Sequence, residues 1–226
     1  MNTAIILAAG KGARMNAGMN KQFIHINGKP LLAHTLEAFQ TCEAIDSIML
    51  VAGKDELQLC KEQIVDAFGF NKVDKLVEGG SERQQSVYNG ILQLDDQCEV
   101  VVIHDGARPI LAADIIERCI EGAKEFGAVT AGMPVKETIK VVDEDGFVDY
   151  TPERWKLWVT QTPQAFRADI IREAHESAAS KGLSGTDDAF LVENTGCKVK
   201  MIESSYENIK VTTPEDIILA KIIMNK

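Results

Sequence analysis

The chain of 226 residues is 45% hydrophobic and 26% charged, the balance of an ordinary folded domain and large enough for one sizeable core, which excludes a disordered or fibrous class and predicts a single domain over residues 1–226. With 24 Lys and Arg against 34 Asp and Glu, the net charge is −10, which argues against nucleic-acid or anionic-membrane binding as the main activity, and no apolar run approaches the roughly 20 residues of a membrane span. Five single cysteines (Cys42, Cys60, Cys98, Cys119 and Cys197) form no C-x-x-C pair and stand apart from the four histidines, so neither a metal centre nor a disulfide framework is expected, and the reducing cytoplasm is the default compartment.

Taken in chain order, short apolar runs alternate with longer segments of helical period, the pattern of βαβ units. A strand over residues 3–8, in a run "TAIILAA" too short and too poor in basic flanks for a signal peptide, leads into a glycine-containing loop. Then come a helix over 30–41, a strand over 47–52, a helix over 54–68, a strand over 72–77, a helix over 81–93, a strand over 99–103, a helix over 112–126 and a strand over 129–135. The segment "KETIKVVDEDGFVDYTPERW" breaks this rhythm. Thr138, Ile139 and Val141 alternate before "DEDG", and Phe147, Val148 and Tyr150 follow it, which reads as a β-hairpin with an Asp-Gly turn. Helices over 168–181, 187–193 and 214–224 and a strand over 198–203 complete the chain. Pro30 and Pro214 stand at helix starts, where a missing N–H is harmless. The expected fold is α/β, a Rossmann-like, mainly parallel sheet with helices on both faces, plus a projecting β-hairpin arm at about 136–156. The arm's apolar positions call for a partner, most simply a second copy of the chain.

The first loop, "IILAAGKGARMNAGMNKQ" (5–22), is the chain's most unusual stretch. Lys11, Arg14, Lys21 and Lys29 fall within the first thirty-six residues, and no acid appears before Glu37, so the rest of the chain carries 20 cations against all 34 acids. A P-loop needs G-x-x-x-x-G-K-[ST], which is absent. A dinucleotide fingerprint needs a third glycine where Met15 stands. What remains is a loop whose glycines let backbone N–H groups approach an anion, with Lys11, Arg14 and Lys21 adding charge; the plain alternative is a surface turn with solvated lysines.

"LAAGKGARM" followed by Lys21 resembles the nucleotidyltransferase signature L-A-A-G-x-G-x-R with its later Pro-Lys, although Asn20 stands at the proline position. "EGGSERQQSV" (78–87), "HDGARP" (104–109), "TQTPQAF" (160–166), "GTDDA" (185–189) and "NIKVTTPEDI" (208–217) follow in order. Together these blocks resemble the 2-C-methyl-D-erythritol 4-phosphate cytidylyltransferase family over essentially the whole chain. The resemblance implies transfer of a cytidylyl group from CTP to the polyol phosphate with release of pyrophosphate, in non-mevalonate isoprenoid biosynthesis. A phosphate monoester is already largely dianionic at pH 7, so no general base is required, and the site must align two anions and stabilise charge on the transferring group.

By the match to the family's loop, Arg14 and Lys21 contact the triphosphate and act in catalysis, with Lys11 a further phosphate contact and Ala9, Gly10 and Gly12 presenting backbone groups. Gly80, Ser81, Arg83 and Ser86 correspond to the cytosine pocket; on residues alone, Ser81 with Gln84 also reads as a helix cap. Asp105 and Arg108 read either as a local turn ion pair or, by resemblance, as acceptor of sugar hydroxyls and substrate-positioning cation, while His104 reads as a packed structural residue. Arg154 and Lys210 correspond to the cations holding the attacking phosphate, although on residues alone each reads as a solvated charge near a strand end. Thr138 and Thr162 correspond to hydroxyl contacts with the substrate. Because Thr138 and Arg154 flank the arm, the resemblance implies a homodimer whose sites are shared. The triphosphate implies Mg²⁺ held mainly by CTP and water, with no dedicated carboxylate cage. A ribitol-5-phosphate cytidylyltransferase and a non-catalytic nucleotide-sensing module are the competing readings; a nicotinamide dehydrogenase is disfavoured by Met15.

Overall fold

The computed structural model describes residues 1–10 and 21–226. In chain order its elements are β1 (Asn2–Leu7), the short ribbon β2 (His25–Ile26) and β3 (Lys29–Pro30), α1 (Leu31–Thr41), β4 (Ser47–Ala52), α2 (Leu57–Cys60), β5 (Val73–Glu78), α3 (Arg83–Ile91), β6 (Val100–Asp105), α4 (Ala113–Phe126), β7 (Ala128–Pro134), β8 (Val141–Val142), β9 (Val148–Tyr150), β10 (Trp158–Arg167), α5 (Ala168–Lys181), α6 (Asp188–Glu193), β11 (Lys200–Glu203) and α7 (Pro214–Met224). Among the described residues the main sheet has the order β11-β7-β10-β6-β1-β4-β5. Every pairing in it is parallel except those of β10, which runs antiparallel to both β6 and β7.

β1 sits in the middle because its side chains are apolar on both faces. Ala4 and Ile6 pack with Leu32, Leu36 and Phe39 of α1 and Ile116 and Ile120 of α4 on one side. Ile5 packs with Val87 and Ile91 of α3 and Ile171 of α5 on the other. A strand covered on both faces reads as a continuous apolar run rather than an alternating one, and "AIIL" is such a run. The expected helices on both faces are therefore present.

Several expectations need correction. β10 was not anticipated as a strand: its sequence "WVTQTPQAFR" is polar in the middle and contains Pro163, which cannot donate to a ladder. The ladder with β7 shifts register between Thr160 and Gln164, so the proline segment falls where pairing is interrupted. The segment expected as one α-helix over 54–68 instead contains a 3₁₀ turn (Lys54–Glu56), the α2 turn and a π-helical stretch (Lys61–Asp66). There Lys61 and Asp66, five residues apart, meet at 2.7 Å, as the wider π spacing allows. Ser81 is not the cap of the following helix. Glu82 occupies that place with no side-chain cap, while Ser81 bonds Gln85 Oε1 through both its N–H and its hydroxyl.

The arm forms as read. β8 and β9 pair antiparallel, and Asp143 Oδ1 accepts from the N–H groups of Asp145 and Phe147, with Gly146 at φ +85°. Phe147 and Trp155 are 72% and 74% exposed in this chain.

Candidate active site

Parallel register brings three chain segments to one edge. Leu7 lies across from Asp105 on one side and Val51 on the other, and Val51 lies across from Val77. The carboxyl ends of β1, β6 and β5 are therefore level. After β1 the chain turns to β4 and β5 on one side, then crosses to β6 on the other, and this reversal of strand order opens a crevice at the carboxyl ends of the strands.

A cavity of about 470 Å³ occupies the crevice. Ala9, Gly10, Lys21, Gly80, Ser81, Arg83, Ser86, Asp105 and Lys210, all singled out from the sequence, line it. Lys11, Gly12 and Arg14 lie outside the described residues. Arg108, together with Lys210, lines an adjoining cavity of about 530 Å³ that also touches Lys136, Gln161 and Asn208. Thr138 and Arg154 are exposed on the arm, where Arg154 donates to the Lys136 carbonyl at 2.9 Å. Neither lines these two cavities. Thr162 stands one layer behind the site: its buried hydroxyl accepts from the Asp105 N–H (3.1 Å) and lies 3.0 Å from His104 Nδ1.

Asp105 is the electrostatic hub. Its carboxylate meets Lys210 Nζ at 2.8 Å, Arg83 Nε at 3.4 Å and Arg108 Nε at 3.6 Å. Burial pushes this carboxyl up, but the facing cations outweigh it and hold its pKa well below the usual carboxylate range. The turn ion pair with Arg108 anticipated from sequence is thus one spoke of a larger cluster. The loop carrying Lys210 is stitched down on both sides. The fully buried Asn208 side-chain amide donates to Gln161 Oε1 (3.1 Å) and the Thr162 carbonyl (2.8 Å), the Asn208 main-chain carbonyl accepts from Arg108, and the Val211 N–H reaches the Ala107 carbonyl at 2.8 Å. Asp216 then takes up the N–H groups of Thr212 and Thr213 at the start of α7. The block "NIKVTTPEDI" is therefore mostly anchorage for one lysine.

The opposite wall is made by the turn after β5. Ser86 Oγ donates to the Glu82 carbonyl (2.9 Å) and accepts from the Gly80 N–H (3.0 Å), so its hydroxyl shapes the turn as well as lining the cavity. Sequence reasoning missed Gly79, whose N–H bonds the Ala52 carbonyl and where a Cβ would overlap that of Ala9. It also missed Gln22, which lines the cavity and donates to the Ala8 carbonyl. We expect Gly79→Ala to raise the KM for the ligand of this cavity by about tenfold by forcing the two walls apart, with a modest change in melting temperature; both parameters unchanged would contradict the close approach.

His104 is fully buried, as the sequence reading held. Its Nε2 lies 3.2 Å from the Arg108 carbonyl and its Nδ1 faces the Thr162 hydroxyl, an arrangement that suits a neutral Nε2–H ring. Burial pulls its pKa from 6.5 down to about 4. Between these values the unfolded chain binds a proton that the folded chain refuses, so acidification across that window destabilises the fold, and the loss levels off below about 4. Wild-type stability should fall by up to about 3 kcal/mol from this group alone as pH drops through the window. The check is the pH dependence of melting for His104→Gln, in which this part of the slope disappears; an unchanged slope would contradict it.

The family model described as 2-C-methyl-D-erythritol 4-phosphate cytidylyltransferase matches residues 2–226. The protein of that name from Caldanaerobacter subterraneus subsp. tengcongensis is 47% identical over 224 residues, covering 99% of both chains. The one from Alkaliphilus metalliredigens is 49% identical over 224 residues, covering 99% of this chain and 93% of the relative. Among solved structures, the 4-diphosphocytidyl-2C-methyl-D-erythritol synthase of Anaerococcus prevotii superposes with a TM-score of 0.89 at 34% identity, covering 100% of this chain and 96% of that one.

Proposed function

This chain belongs to the 2-C-methyl-D-erythritol 4-phosphate cytidylyltransferase family, and on that premise we propose that it joins the cytidylyl group of CTP to 2-C-methyl-D-erythritol 4-phosphate, releasing pyrophosphate, in non-mevalonate isoprenoid biosynthesis. The observation that carries the reading to this site is that Gly80, Ser81, Arg83, Asp105, Lys21 and Lys210, drawn from four separate sequence blocks, line one cavity. In this reading cytosine rests against the Gly80–Ser81 turn, the ribose hydroxyls meet Asp105, and Lys21 faces the triphosphate. The acceptor occupies the adjoining cavity beside Arg108, and Lys210, which lines both cavities, steadies its phosphate against the α-phosphorus. Attack by the phosphate dianion needs no base; alignment and cationic stabilisation of the transferring group supply the acceleration.

Mg²⁺ is expected to travel with the triphosphate. Among the described residues no group of three His, Cys, Asp or Glu side chains is placed to hold a metal, and Asp105 is already engaged by three cations, so no protein cage is assigned and no step depends on one. The exposed apolar arm is read as a dimer contact that carries Thr138 and Arg154 to the partner's site. No helix among the described residues is long and apolar enough to cross a membrane, and the five unpaired cysteines, four of them buried, suit the reducing cytoplasm. The test is pyrophosphate release from CTP and Mg²⁺ with two acceptors. The proposal expects turnover with methylerythritol phosphate at least about 10²-fold above that with ribitol 5-phosphate, a gap that differential transition-state binding supplies; the reverse order would move the chain to the ribitol reading.

A further inference from the structure

Arg83 reaches the cavity from the first residue of α3, but what fixes its guanidinium lies on two other helices. Asp188, the first residue of α6, accepts from Arg83 Nη1 at 2.7 Å. The other oxygen of Asp188 meets His175 Nε2 of α5 at 3.1 Å, and both of these side chains are essentially inaccessible. The His175 ring in turn stacks on Tyr88, at 5.8 Å between centroids and 3° between planes. Tyr88 belongs to α3, so the chain of contacts closes on the helix that carries Arg83.

The backbone that carries this carboxylate is pinned to the sheet. Gln164 of β10, fully buried, accepts from the N–H groups of Asp188 (3.1 Å) and Ala189 (3.4 Å) and donates to Thr130 Oγ1 and Asp187 Oδ2, both at 2.9 Å. A buried anion held this way is costly unless it serves a cation, and burial raises the Asp188 pKa while the Arg83 charge and the His175 hydrogen bond bring it below its usual value. Among the described residues Arg83 keeps one buried nitrogen, Nη2, without a partner.

We propose that Asp188 and His175 are positioning residues for nucleotide binding: they hold the guanidinium of Arg83, a residue of the cavity wall, in place between Asp188 and Asp105. The inference rests on the CTP reading above. Neither residue touches the cavity, so their effect on nucleotide passes through Arg83.

Four variants, Asp188→Asn, His175→Leu, His175→Gln and Arg83→Ala, with the double variant Asp188→Asn/Arg83→Ala, are assayed beside wild type with CTP and methylerythritol phosphate, and each is melted. Asp188→Asn should raise the KM for CTP by about tenfold, the scale of one charge-assisted hydrogen bond, while kcat and the KM for the acceptor stay within about threefold. His175→Leu should raise the KM for CTP several-fold, and His175→Gln, which retains a donor for Asp188, should restore it. In the Arg83→Ala background, Asp188→Asn should add less than about twofold, because both changes act on one contact. Multiplicative effects in the double variant, a parallel loss of kcat and melting temperature without a selective KM change, or failure of His175→Gln to restore KM would overturn the proposal. If Asp188→Asn does not fold, the two His175 variants decide. Wild type that does not turn over CTP would sink the CTP reading itself, whereas active wild type with unaffected variants would sink only the positioning role.

Discussion

Lys210→Ala should lower kcat by about 10² or more while CTP affinity changes only a few-fold, the pattern of a cation that acts chiefly on the transition state. The reason is its placement. Lys210 lines both the nucleotide cavity and the adjoining acceptor cavity, and it is held at 2.8 Å from Asp105 by a loop whose neighbours Asn208 and Val211 are buried and bonded to β10 and to the turn after β6. A lysine merely solvated at a strand end, the reading that residues alone favoured, would show kcat within about twofold of wild type, since isolated surface charges contribute little. Lys210→Arg offers a second check: the longer, planar head cannot reproduce a point charge at the same place, so it should recover only part of the loss. Steady-state kinetics in both substrates, with CTP binding by calorimetry, separates these outcomes.

Asp105→Asn should be the most damaging single change in the site. Three cations converge on this carboxylate, and neutralising it leaves Arg83, Arg108 and Lys210 facing one another without their common counter-ion. Breaking a buried charge cluster on one side costs on the order of 3 kcal/mol or more. The kinetic signature is more specific than the stability loss. The cavity becomes more positive, so binding of the CTP anion should be retained, while kcat falls by about 10² to 10³ because the cations are no longer held where the transferring group needs them. A variant that loses CTP affinity with kcat unchanged would instead make Asp105 a contact of uniform binding only.

The fold was legible where the physics is local. Continuous apolar runs marked the strands buried on both faces, the 3.6-residue period marked α1, α4 and α5, and the alternation around "DEDG" marked the arm. β10 escaped because its information is non-local. Gln161, Thr162 and Gln164 are polar for the sake of partners 34 to 58 residues away, namely Ser205, His104 and Thr130, and no window of sequence contains both sides of those bonds.

The same division runs through the site. Asp105, Gly80 and Lys210 were identifiable as members of compact blocks, and the parallel register explains why those blocks meet. Gly79, Gln22, Asp188 and His175 were not identified as functional, since each matters through a contact fixed only in three dimensions: a Cβ that would strike Ala9, an amide on Ala8, an ion pair to Arg83 and a hydrogen bond behind it. Thr162 shows the converse. The resemblance supplied a substrate role, and its hydroxyl stands between the Asp105 N–H and His104.

The most direct test of the whole account follows the α-phosphorus. CTP labelled at that atom is incubated with the protein, Mg²⁺ and methylerythritol phosphate, and the products are separated. The label should appear in 4-diphosphocytidyl-2-C-methyl-D-erythritol, in step with unlabelled pyrophosphate, and Lys210→Ala should slow both equally. Label remaining in CTP, or released as CMP without joining the acceptor, would contradict it.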